Sequence, residues 1–420
     1  VDNGKNKVYG INLDKVNTFL ENTSLNDEQK EAVRHICCSR DRYLAVVGLA
    51  GTGKTYMLKH AREIFESEGY KVYGMSLAGQ AARNLEDESG IESRTIHSFL
   101  NQLEKEAGKF NPNQDLENKS NWDTVGIHKN EKEIWIVDEA SMINNNLFNE
   151  LCKAAEERGS KVVFIGDNKQ LQAIGAGSSF DNMVRKNRIS YVVLENIRRQ
   201  KVEVLKEAVN EAVKGDVKRS LVILSDKTIE IENREERLKK IARDYSFQRS
   251  DDREKSIILT GSNYDRHEIN GYVRDNLKGL GVLKENKGHI FILRTNNGHK
   301  MKRELLENDK IIFLRNDNKL GVRNGQAGYI KKIEENNIWC ETNNKLLKID
   351  VNNYNYLDYG YALTVHKAQG QTVNKAFVHI NTNQKKLNSR NSYYVDISRA
   401  KYDVKIYTND KENLYKAVSK

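Results

Sequence analysis

Residues 43–65 dictate a strand, a glycine loop and a helix in immediate succession. Tyr43-Leu44-Ala45-Val46-Val47 is an apolar run of the kind that forms a buried strand. Gly48-Leu49-Ala50-Gly51-Thr52-Gly53-Lys54-Thr55 then satisfies the spacing G-x-x-x-x-G-K-[ST] in full. From Met57 to Phe65 apolar residues recur at helical intervals. Such a loop leaves the carboxyl edge of a sheet and feeds a helix N-terminus, so the chain is committed to an α/β architecture. Glycines let the backbone wrap a phosphate chain with its N–H groups inward, and the helix end adds a favourable field. Gly48, Gly51, Thr52 and Gly53 would form that cradle, Lys54 would reach the β- and γ-phosphates, and Thr55 would hold Mg²⁺. The bland alternative is a structural glycine turn; strand and helix in the right places favour nucleotide binding.

The alternation continues. Strands are expected at 71–76, 133–137 and 161–165, with helices at 54–67, 79–89 and 145–157, the pattern of a doubly wound parallel sheet. Residues 1–24 read as a polar lead-in or linker, followed by a helix over 26–38. The interval 101–131 is rich in Asn, Lys and Gly, carries the lone Pro112, and reads as a small insert. A second α/β alternation opens with a strand at 191–194 and continues with helices at 202–214, 233–245 and 263–278 and a strand at 256–260. Residues 305–357 switch to short strands with Asn-rich turns, which suggests a small β-barrel inserted in that unit. The unit then resumes with helices at 364–369 and 388–398 and strands at 375–380 and 403–407. The expected domains are therefore 25–190, 191–304 joined with 358–420, and the insert 305–357.

Ile134-Trp135-Ile136-Val137 reads as a buried strand that ends in Asp138-Glu139. At a sheet's carboxyl edge Asp138 is suited to hold Mg²⁺ through water, and Glu139 to orient and deprotonate an attacking water. Without the phosphate loop the pair would read as a solvated acidic turn. Gln170, after the strand at 161–165, has an amide that can donate to a γ-phosphate and accept from water. Arg199 and Arg399 could stabilise transition-state charge in a cleft between two α/β units, with surface ion pairs as the alternative for each.

The chain of 420 residues carries 69 Lys and Arg against 59 Asp and Glu, a net charge of +10, which suits a polyanionic partner such as nucleic acid. A compositional bias towards Lys and Asn would also produce this excess. The four cysteines show no metal-ligand spacing and read as free thiols of a reducing cytoplasm. No apolar run approaches the ~20 residues that span a bilayer. The start at Val1 suggests a segment of a longer protein.

In order along the chain, Gln29, the phosphate loop, Asp138-Glu139, Gly166-Asp167-x-x-Gln170, Arg199, Tyr361–Thr372 and Ser398-Arg399 resemble the motifs of superfamily 1 helicases. The resemblance covers about residues 22–408 and is closest to the RecD-like, 5′→3′ branch, in particular the helicase part of conjugative relaxases of the TraI/TraA (MobF) type. Ser76–Ala82, Gln170–Gly177, Thr364–Thr372 and Asn324-Gly325-Gln326 carry the closer match. The resemblance implies two RecA-like P-loop domains with parallel sheets, an SH3-like inserted barrel, and an ATP-dependent, single-stranded DNA translocase and helicase with Mg²⁺ as cofactor.

It further implies that Gln29 reads adenine, that Gln170 senses the γ-phosphate, that Arg199 and Arg399 are fingers, and that Gly370, with Gln369, couples DNA to nucleotide. Single-stranded DNA would run along Ala78, Gly79, Gln80, Thr95, His97 and Phe99 in the first unit and Asn324, Thr364, His366 and Lys367 in the second. His97 and Phe99 offer stacking faces; a capping histidine and a core phenylalanine are the alternatives. Nothing resembles the nicking domain of a relaxase, so the chain is not expected to nick DNA; an upstream relaxase domain of the same longer chain is a candidate partner, and the chain is expected to act as a monomer. The interval 101–131 is the candidate strand-splitting pin. A vestigial DNA-binding domain without turnover, a small-molecule P-loop enzyme and an RNA-directed role remain the competing readings.

Overall fold

The computed structural model describes residues 4–106, 132–167, 169, 179–284, 288–317, 319–365, 367–368 and 371–419. The chain divides into two units, Val1–Arg199 and Gln200–Lys420.

The first unit opens with α1 (Leu13–Glu21) and α2 (Asp27–Cys38) and continues β1 (Tyr43–Gly48), α3 (Lys54–Ser67), β2 (Lys71–Ser76), α4 (Gly79–Ser89), β3 (Glu92–Thr95), α5 (Ile96–Glu106), β4 (Glu133–Val137), α6 (Asn145–Arg158), β5 (Lys161–Gly166), α7 (Ser179–Arg185) and β6 (Ser190–Leu194). Six parallel strands lie in the order β3-β2-β4-β5-β1-β6. Because strand side chains alternate, each central strand feeds two cores. Val46, Ile134, Ile136, Val163 and Ile165 face α1–α4, whereas Ala45, Val47, Trp135, Val137 and Phe164 face α5–α7. Helices on both faces leave the carboxyl edge of the sheet as the place where loops converge.

Three expectations change here. The lead-in is not a linker over its whole length: α1 buries Val16 and Leu20 in the first core, since its apolar residues repeat at helical spacing. The strand expected to open the second unit, β6, instead hydrogen-bonds in parallel to β1 and closes the first sheet. The start of the expected insert, 101–106, continues α5, which is anchored by Phe99 and Leu103; residues 107–131, and with them the candidate pin, lie outside the described residues.

The second unit contains α8 (Glu203–Lys214), α9 (Val217–Ile223), β7 (Thr228–Glu230), α10 (Arg234–Ser246), α11 (Ser250–Glu254), β8 (Ser256–Thr260) and α12 (Asn263–Gly279). The insert follows: β9 (His289–Arg294), β10 (Lys300–Leu305), β11 (Lys310–Phe313), β12 (Ala327–Glu334), β13 (Asn337–Thr342), β14 (Lys345–Asp350) and β15 (Leu357–Tyr359). Last come β16 (Ala362–Thr364), β17 (Val373–Ile380), α13 (Arg390–Ser398), β18 (Ala400–Thr408) and α14 (Lys411–Val418). Five parallel strands form the sheet β16-β8-β17-β18-β7, with α10 and α12 packed over Ile258, Phe377 and Tyr407. Where a helix is expected at 364–369, Thr364 instead ends β16, which pairs with β8, and the described residues Val365, Lys367 and Ala368 lie in turns.

The insert is not a closed barrel. Its strands make an open antiparallel sheet, β14-β13-β12-β11-β15, beside a separate hairpin of β9 and β10. β15 is only three residues long and pairs with β11, so β14 keeps its far edge unpaired among the described strands. The hairpin lends Phe291, Leu293 and Leu305 to the core of this sheet.

Candidate nucleotide site

Two glycines of the 48–55 loop lie in the left-handed region, Gly51 at φ +84° and Gly53 at φ +79°, where a side chain is strained. Gly51 is also crowded: a Cβ there would stand 2.3 Å from Cβ of Arg199. Thr52 is buried and closes the loop by donating from Oγ1 to Leu49 O at 3.0 Å. Helix α3 starts at Gly53 with no side-chain cap, so the first N–H groups of α3 lack an intrahelical acceptor and suit an anion. Lys54 folds back over the loop and donates from Nζ to Gly48 O at 2.7 Å and Leu49 O at 3.0 Å. Thr55 occupies the first turn of α3. A phosphate chain would thus meet orphan N–H groups and one mobile ammonium, and the residues fit it.

The β4 strand delivers the two carboxylates. Asp138 N donates to Met75 O at 2.8 Å, tying the end of β4 to β2, and Asp138 Oδ1 accepts from Glu139 N at 2.9 Å. Burial pushes the Asp138 carboxyl up, while the Lys54 ammonium and the Glu139 N–H pull it back. Lys54 is therefore close enough to act on Asp138, the pairing that a phosphate–metal site needs. Glu139 has φ +54°, a conformation costly for a side chain of this kind and typical of residues held for a task.

Arg199 reaches this loop through its own main chain. Arg198 N and Arg199 N both donate to Gly51 O, at 2.7 and 3.1 Å. Upstream, Leu49 N donates to Leu194 O, and a single oxygen of Glu28 accepts from Glu195 N and Asn196 N at 2.9 and 3.0 Å. Glu28 is a functional support that sequence reasoning missed, since an acid in the first turn of a helix carries no such signal.

Gln29 does something other than wait for a base. Its Oε1 completes a capping box with Asn26 N, and its Nε2 donates to Thr52 O at 3.0 Å, with the side chain buried. Its amide splints the loop to α2, so both of its polar atoms are already engaged.

Among the expected strand contacts of the first unit, Ala78 and His97 are exposed and Thr95 is half-buried, accepting from Ser98 N as a helix cap. Gly79 is buried and Gln80 half-buried, with Gln80 Oε1 left without a partner. Phe99 is corrected: it is fully buried, 4.9 Å from Trp135 and 5.8 Å from Tyr73 between ring centroids, and cannot stack on a base. Ser76, which ends β2, and Ser141, in the turn that follows β4, each bury a hydroxyl without a partner, a feature that nothing in the sequence signalled.

In the second unit, Thr364 is buried, Asn324 is exposed, and Lys367 is half-buried. Arg399 is buried and donates to Val395 O at 3.2 Å and Gln371 O at 3.3 Å. Its guanidinium is close enough to act on the buried Asp396 carboxyl. Gln170, His366 and Gly370 lie outside the described residues.

The family model AAA_30, described as an AAA domain, matches residues 24–238. The conjugal transfer protein TraA of Rhizobium radiobacter is 33% identical over 400 residues, which cover 93% of this chain and 33% of TraA. The ATP-dependent RecD2 DNA helicase of Deinococcus radiodurans is 23% identical over 377 residues, covering 90% of this chain and 48% of that protein. The chain thus spans about a third of the length of its TraA relative. In fold it is similar to the Pif1 helicase from Bacteroides, solved in complex with ADP-AlF3 and single-stranded DNA, with a TM-score of 0.61 and 20% identity over 91% of this chain and 92% of that one.

Proposed function

Since the chain belongs to the AAA_30 family of AAA domains, we propose that it is an ATP-dependent single-stranded DNA translocase and helicase that moves 5′→3′ and acts in conjugative DNA transfer. The observation that carries the reading is the convergence on one loop of an ammonium, a carboxylate that feels it, and an arginine pinned by its main chain: Lys54, Asp138 and Arg199. In this reading Lys54 leaves the carbonyls of Gly48 and Leu49 for the phosphates. Thr55 and Asp138 hold Mg²⁺, which neutralises phosphate charge when bound. Glu139 takes a proton from the attacking water. Arg199, carried by a segment bonded to Gly51 O, meets the developing charge. The DNA part is supported by the net charge of +10 and by the likeness to TraA, RecD2 and Pif1.

ATP hydrolysis with and without a single-stranded oligonucleotide tests the reading, with Lys54→Ala as the blank. Strong stimulation by the strand, absent in the blank, is expected. Hydrolysis indifferent to DNA would sink the motor. The rival is a strand-binding domain without turnover; tight binding with no hydrolysis would select it.

A further inference from the structure

Four basic groups meet around a single carboxylate in the second unit. Asp358, from β15, is buried and accepts from Arg266 Nη1 at 3.1 Å and from Arg303 Nε at 3.1 Å. Arg266 comes from α12 and Arg303 from β10. His267 stands between them at the surface: Arg266 Nη2 lies 3.1 Å from its Nε2 and Arg303 Nη2 lies 3.2 Å from its Nδ1. Lys367 is near enough for the charges of Arg266 and Asp358 to act on it. Arg266 and Arg303, two permanent cations, thus face one anion, an excess of one positive charge to which the Lys367 ammonium adds, though burial and Arg266 lower its hold on the proton.

The contacts of His267 are frustrated whatever its tautomer. A guanidinium nitrogen only donates, and a neutral imidazole has one acceptor and one donor. Of the two short contacts, one is a hydrogen bond and the other sets N–H against N–H. Protonation makes both repulsive. An anionic oxygen between His267 and one arginine removes the conflict, because it accepts from both and offsets the excess charge. The cluster is built for an acceptor-only, anionic group and is open to solvent through His267.

We infer that Arg266, His267, Arg303 and Lys367 form a phosphodiester subsite of the second unit, which takes one backbone phosphate of the single strand; the inference rests on the strand-binding reading above. Phosphate recognition here positions the strand without reading its sequence.

His267→Glu tests it, because a glutamate satisfies both arginines and fills the place of the phosphate, at an exposed helical position that tolerates it. His267→Gln, which adds no charge, is the control. Binding of a fluorescent oligothymidylate to the full chain is followed by anisotropy across a salt series. We expect His267→Glu to bind about tenfold more weakly, with the slope of log K against log salt reduced by about 0.7 for one lost phosphate contact. His267→Gln, which loses an imidazole donor but adds no charge, should weaken binding less than His267→Glu, and the unfolding temperature of His267→Glu should be no lower than the parent's. Equal affinity and slope in His267→Glu and the parent overturn the subsite. A second arm uses inorganic phosphate alone, read as a rise in unfolding temperature. A rise in the parent but not in His267→Glu, with no oligonucleotide binding by either, keeps the anion subsite and overturns the strand reading. No response of the parent to either probe overturns the subsite.

Discussion

At the carboxyl edge of the first sheet, β1 and β4 run out into glycines, orphan N–H groups and Asp138, and the ammonium of Lys54 rests on carbonyls that it can leave. At the carboxyl edge of the second sheet, β8 and β17 run into a filled network. Buried Asp265 accepts from Arg234, Ser262 and Gln384. Buried His379 accepts at Nε2 from Arg237 Nε at 3.1 Å, so its proton sits on Nδ1, 3.1 Å from Thr260 Oγ1. Both sheets are parallel and wound with helices, yet the first edge presents unpaired N–H groups, whereas at the second the ends of β8 and β17 are tied by a hydrogen-bonded network beside a cavity lined by Glu230, Arg234, Arg237, Asn381 and Asp410. The architecture offers the crevice twice; the side chains decide what each can hold.

The sharpest test of that contrast is at the open edge. Glu139→Gln should retain nucleotide binding and lose turnover by about 100- to 10,000-fold, the range for removal of a general base; stopped-flow binding beside steady-state hydrolysis separates the two. Normal turnover would mean the first edge is not the catalytic one. At the second edge, Asp265→Ala removes the buried acceptor of Arg234, Ser262 and Gln384, while Arg234 keeps Glu268, and should cost about 3 kcal/mol. Calorimetry should show the loss, while nucleotide affinity at the first unit holds. A fall in nucleotide affinity of similar size would abolish the distinction between the edges.

A pH titration sharpens it further. Burial, with Arg237 and Arg234 adding to it against the opposing pull of Asp265, lowers His379 to about 4. The folded chain keeps this imidazole neutral where the unfolded chain takes a proton. The stability it allows is complete above pH ~6.5, falls as pH drops towards about 4, and levels off below. The full window is on the order of 3 kcal/mol. Unfolding midpoints of the parent and His379→Gln across that range should converge as pH falls, and parallel curves would count against a neutral His379. The smallest effect is expected at Glu28→Ala, which removes the shared acceptor for Glu195 N and Asn196 N and should cost about 1 kcal/mol, with turnover down a few-fold. Unchanged turnover would mean that the segment carrying Arg199 needs no such brace.

The open edge was largely legible in the sequence. Helices α3 and α4 and strands β2 and β4 start and stop where periodicity and glycines say they should, because local signals and burial agree there. β3 was missed because Glu92-Ser93-Arg94-Thr95 is polar and its half-buried place at the sheet edge asks for no alternation. β16 was missed because three residues carry no period, and only pairing with β8 makes them a strand. The insert showed β11 to β14 but neither β15 nor the β9–β10 hairpin that precedes its expected start at 305, and its closure depends on whether β14 and β15 meet. Side-chain duties were the hardest to read. Lys54 and Asp138 follow from motif chemistry, whereas the burial of Phe99 and Arg399 and the bracing by Glu28 depend on neighbours far away in the sequence.

The splint made by Gln29 turns one amide into a reporter. Its Oε1 holds the N–H of Asn26 and its Nε2 holds Thr52 O, so α2 cannot lose its cap without the loop losing a tether. A nucleotide base that recruits this side chain must take it from one of those two duties. Hydrogen–deuterium exchange at the Asn26 amide then registers base recognition directly: protection kept on ATP binding means that the base is read elsewhere, and protection lost means that the helix end gave up its cap to read it.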